Sequence, residues 1–65
     1  METYTILQYI LDDNDINTIP MGFFVNEKDR DNALTKNFFF TNDDRLPSKE
    51  SLQINRWAKK GIIYM

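Results

Sequence analysis

Residues 46–65 read L-P-S-K-E-S-L-Q-I-N-R-W-A-K-K-G-I-I-Y-M, and the punctuation of this stretch sets the expected architecture. Ser48, next to Pro47, offers a hydroxyl that can accept from the free N–H groups of a first helical turn. Lys59 and Lys60 would fall in the last turn, against the negative end of the helix dipole, and Gly61 suits a left-handed stop. Ile62-Ile63-Tyr64 is then a short β-prone run. The spacing therefore predicts a helix over 48–60, a glycine stop and a strand over 62–64. At about 100° per residue, Ile54, Trp57 and Ala58 share one face of that helix, with Trp57 as the core anchor. Leu52 falls on the other side, ringed by Lys49, Arg56 and Lys59.

Outward from this stretch, Phe38-Phe39-Phe40 is the most hydrophobic point of the chain. Successive strand side chains alternate between faces, so a strand over 38–41 needs cover on both faces or leaves a ring exposed. Phe39 is therefore a candidate contact. The preceding N-E-K-D-R-D-N-A-L-T-K has Asn26 as a cap, Glu27 and Asp29 at the positive helix end and Lys36 at the negative end. It reads as a helix over 27–36. Ala33 and Leu34 are nearly its only apolar residues, so it should rest lightly on a sheet.

Gly22-Phe23-Phe24-Val25 reads as a strand, with 16–21 as a loop before it. Residues 4–11, Y-T-I-L-Q-Y-I-L, have spacing that also suits a short helix, but their β-branched and aromatic content favours a strand. Asp12-Asp13-Asn14-Asp15 is then a turn. Asp13, Asp15 and Asn17 match the first oxygen positions of an EF-hand loop. Thr18 replaces the required glycine and Phe24 the bidentate glutamate, so a solvated turn is the better reading. The expected fold is α+β: one small domain over 1–65, with a mainly antiparallel sheet from 4–11, 22–25, 38–41 and 62–64 and helices at 27–36 and 48–60.

At 65 residues, the chain is near the size below which a core needs help from a metal, a disulfide or a partner. Cysteine and histidine are both absent. That excludes a disulfide scaffold, a thiolate metal site, a Cys nucleophile and the commonest general base. No cofactor or metal is expected, and no catalytic residue. No apolar run reaches the roughly 18 residues of a membrane span, and M-E-T-Y-T does not resemble a signal peptide. The expected location is the cytoplasm, without membrane contact.

Net charge is −2 and the pI about 4.8, but the charge is uneven. Residues 1–44 hold nine acids and three bases, and 45–65 hold five bases and one acid. A basic helix packed beside an acidic surface of its own fold would explain this simply. Asn, Ile, Phe, Lys, Tyr and Met make up nearly half of the chain; their AT-rich codons point to an AT-rich bacterium, its phages or an organelle.

Enzymes are the least supported class, because the carboxylates sit in turn-like segments instead of a paired site. The expected function is a small non-catalytic protein-binding module, an accessory or inhibitory protein of a phage, plasmid or bacterium that modulates a larger protein. Self-association is a further partner expectation. The alternative is nucleic-acid binding through the basic helix 48–60, against which the acidic pI weighs. Two candidate contact faces follow: Lys49, Leu52, Arg56 and Lys59 on that helix, and Phe39 with the acidic turn Asp12, Asp13 and Asp15.

Overall fold

The computed structural model describes residues 2–37, 39–41 and 46–64. Its elements run β1 (Glu2–Asp12), β2 (Asp15–Phe24), α1 (Glu27–Lys36), β3 (Phe40–Thr41), α2 (Lys49–Ile54) and β4 (Trp57–Tyr64). The four strands form one mixed sheet in the order β2-β1-β4-β3. β1 pairs antiparallel with β2 and β4, and β3 runs parallel to β4. The fold is α+β with a mainly antiparallel sheet.

β1 and β2 form a long hairpin closed by Asp13 and Asn14, with Asp13 at a φ of 55°. A two-residue loop makes Asp12/Asp15 a hydrogen-bonded pair, and such pairs alternate with non-bonded ones along the ladder. Leu7/Pro20 is then a non-bonded pair, so the Pro20 nitrogen, which has no hydrogen to donate, points to the free edge. This is why β2 runs through a proline and why 16–21, read from the sequence as loop, is strand. Past Met21 the register slips by one residue at Gly22, whose φ is 77°. The Thr5 hydroxyl donates to the Gly22 carbonyl, so the fully buried Thr5 is satisfied at the bulge.

Helix α1 has the bounds its caps predict. Asn26 Oδ1 accepts from the Asp29 N–H at 2.9 Å, and the Asn37 N–H closes the far end onto the Ala33 carbonyl. Its Leu34 packs with Ile6 of β1 and Ala58 of β4 to form the core, flanked by Phe24, Ala33 and Phe39. Only Arg30 and Leu34 of this helix are buried, so it does rest lightly on the sheet.

The predicted helix over 48–60 is corrected. α2 spans only Lys49–Ile54, and the chain from Trp57 to Tyr64 is strand. Ser48 caps as expected, accepting from the Ser51 N–H at 3.1 Å. Trp57 and Ala58 do not share a helical face; strand alternation sends them to opposite sides of the sheet. Ala58 enters the core against α1. Trp57 meets α2, its indole Nε1–H donating to Ser51 Oγ at 2.8 Å. Ile54, expected in the core, is 80% exposed.

Gly61 is no helix stop, since it lies in β4 and has no positive φ. A Cβ there would approach Leu7 Cγ to 2.7 Å and a Thr5 methyl to 3.0 Å, so the position is glycine for close side-chain approach across the sheet. The remaining strand boundaries shift as well: 4–11 extends to Glu2–Asp12, 22–25 becomes Asp15–Phe24 and 62–64 becomes Trp57–Tyr64. Of the expected strand 38–41, Phe40–Thr41 pairs with β4, while Phe38 lies outside the described residues.

Candidate functional site

β2 is an edge strand, and between Asp15 and Glu27 the chain has no charged residue. Edge strands ordinarily carry charges that discourage association. Along β2 and just beyond it, Ile19 and Met21 are each 38% exposed, Phe23 66% and Val25 91%. The strand pairing places Ile19 and Met21 on the α1 side, opposite Gln8 and Ile6. Phe23, opposite Thr5, is on the other side. The apolar band thus wraps around the edge. Pro20 and the Gly22 bulge interrupt the outward backbone groups, so side chains offer the larger contact here.

The candidate residues from the basic stretch are divided between the two sides of the sheet. Lys49 and Leu52 are on α2, with Lys49 exposed and Leu52 half-buried. Lys59, on β4, reaches over the Tyr9 ring at 6.0 Å on the same side. Arg56 precedes β4 and is on the α1 side, its guanidinium 4.4 Å from the Phe39 ring centroid. Phe39 and Arg56, assigned to different faces from the sequence, therefore meet. Their shared helix with Lys49 and Leu52 does not exist, because the chain turns from helix to strand at Asn55-Arg56.

A cavity of about 210 Å3 adjoins this pair, between the end of α1 and the sheet, lined by Ile6, Met21, Phe24, Ala33, Phe39 and Arg56 together with Gly22 and Asn37. Arg56 Nη1 donates to the Asn37 carbonyl at 3.2 Å. Arg56 is the one charged residue of this lining.

Asp12, Asp13 and Asp15 sit at the exposed tip of the β1–β2 hairpin, whereas Phe39 packs against the core beside Arg56. Among the described residues no cluster of acidic side chains is arranged to hold a metal ion, and no helix is long and apolar enough to cross a membrane.

Sequence reasoning missed Arg30, which is 2% exposed. It donates to the Gly61 carbonyl at 3.3 Å, pairs with Glu27 and Asp31, and its guanidinium carbon is 5.3 Å from the Tyr4 ring centroid. Lys60 also pairs with Asp31, at 3.6 Å. The Glu2 charge beside Tyr4, helped by burial and Glu27, raises the phenol pKa above its ordinary 10.0, with Arg30 opposing. The folded state therefore holds that proton more tightly. The associated stability is present below the ordinary phenol pKa and is lost as pH rises through the raised value.

No family model, curated protein or solved structure matches this chain.

Proposed function

We propose that this protein is a small non-catalytic protein-binding module that docks through the apolar band on β2. The observation that carries the reading is the uncharged run 16–26 laid along an exposed edge, with Phe23 and Val25 protruding from its end. Covering such side chains gains roughly 25 cal/mol per Å2 of apolar surface, and a protruding aromatic is the usual anchor of an interface. In context, an amino-acid composition weighted to AT-rich codons fits an accessory or inhibitory protein of an AT-rich bacterium or phage acting on a larger cytoplasmic protein.

A pull-down with the tagged full chain, from a lysate of the source organism or its host, tests this. A stoichiometric protein band is expected to persist after nuclease treatment and to be lost with Phe23→Ser, which alters an exposed ring and leaves the fold intact. Material released by nuclease would overturn the reading in favour of nucleic acid. A band unaffected by Phe23→Ser would remove β2 as the docking surface.

A further inference from the structure

We propose that the cavity beside Arg56 receives an apolar side chain of the partner polypeptide while a carboxylate next to that side chain meets the Arg56 guanidinium. This rests on the protein-binding reading and names what the partner must present. The chemistry of the lining selects the occupant. Five of its walls, Ile6, Met21, Phe24, Ala33 and Phe39, are apolar, and the single charge is the cation Arg56, with no carboxylate in the lining to compete for it. At about 210 Å3 the space is smaller than the roughly 300 Å3 at which drug-sized ligand pockets begin. It is the size for one side chain.

Arg56 is positioned for this before any partner arrives. Stacking on Phe39 at 4.4 Å and the bond from Nη1 to the Asn37 carbonyl fix the plane of the guanidinium. The remaining N–H donors of the fork can engage a carboxylate in paired, charge-assisted bonds. Met21 contributes to both the cavity and the exposed β2 band, so a segment crossing the β2 edge can reach the cavity without a break in contact.

The test titrates the isotope-labelled full chain by NMR with N-acetyl-leucine and, separately, with its amide. The acid is expected to shift the backbone signals of Ile6, Ala33 and Phe39 with a roughly millimolar Kd, and the amide to bind at least about tenfold more weakly. Arg56→Gln should erase that preference, and Arg56→Lys should keep part of it. The Arg56 side chain is exposed and its carbonyl holds the Phe40 N–H at 2.7 Å whatever the side chain, so both variants should fold. Equal binding of acid and amide, or shifts elsewhere only, would overturn the proposal.

The lysate pull-down separates this failure from that of the protein-binding reading. A band captured equally by the natural chain and by Arg56→Gln leaves the protein-binding reading standing and overturns the role of the cavity. Acid preference with no captured band defeats both, leaving a small-molecule site. Acid preference together with a band weakened by Arg56→Gln is the result expected.

Discussion

Arg30 joins α1 to the sheet through contacts that differ in their dependence on salt. Glu27 and Asp31 are substantially exposed, 65% and 41% by side chain, so these ion pairs are screened and contribute little. The Gly61 carbonyl and the Tyr4 ring are the contacts that burial strengthens. Lysine in place of Arg30 keeps the charge but cannot form a planar fork that stacks and donates together. Arg30→Lys should therefore lower stability by about 1–3 kcal/mol, read from the urea midpoint. The loss should be nearly the same at 0.1 and about 1 M salt, because exposed ion pairs are already weak at the lower concentration. A loss that disappears in high salt would assign the role to the ion pairs instead. Residue patterning gave no sign of this, because a cation in the middle of a polar helix ordinarily faces water. Only the sheet geometry brings Tyr4 and Gly61 beneath it.

Local signals of different range account for which elements were legible. α1 was readable because its caps, Asn26 at one end and Lys36 near the other, act within a few residues of where they stand. β1 was readable from its Thr, Tyr and Ile content. The start of β4 was not, because W-A-K-K has no marked alternation, and Ser48, Lys59 and Gly61 together imitate a longer helix. What decides the state of residues 58–61 is pairing with Gln8, Leu7, Ile6 and Thr5 across the sheet, and of Trp57 with Phe40, which is non-local. β2 was obscured by Pro20, whose tolerance depends on the parity of the hairpin. The break between α2 and β4 is held by the bond from Trp57 to Ser51. A six-residue helix has little stability of its own, so Ser51→Ala, which leaves the half-buried indole N–H without this acceptor, should cost about 1 kcal/mol. Trp57 is the only tryptophan, so its emission should also shift to the red. Unchanged emission and unchanged melting would mean that α2 is not docked through this contact.

Over the whole molecule, the described basic residues of the C-terminal part do not form a separate positive face. β4 lies between β1 and β3, which threads its lysines into the sheet and sends them to both sides. Lys49 and Lys59 are on the α2 side, while Arg56 and Lys60 are on the α1 side, where Lys60 meets Asp31. Arg45 lies outside the described residues. The expected basic helix packed beside an acidic surface is not formed, since 57–64 is strand; in its place Lys60 of β4 pairs with Asp31 of α1 at 3.6 Å. The placement bears on nucleic acid in a measurable way: phosphate binding gains affinity from several cations neutralising neighbouring phosphates at once, with a steep salt dependence. Cations divided between two faces should engage few phosphates on any one approach. A labelled duplex should therefore bind with a Kd of roughly 100 μM or weaker at physiological salt when followed by fluorescence anisotropy. A micromolar Kd there, falling with salt by a slope of several phosphates, would show that the cations converge on nucleic acid after all. Weak binding would leave the uncharged β2 band, which lacks the charges that guard most edges, as the surface on which this small fold can gain the most from a partner.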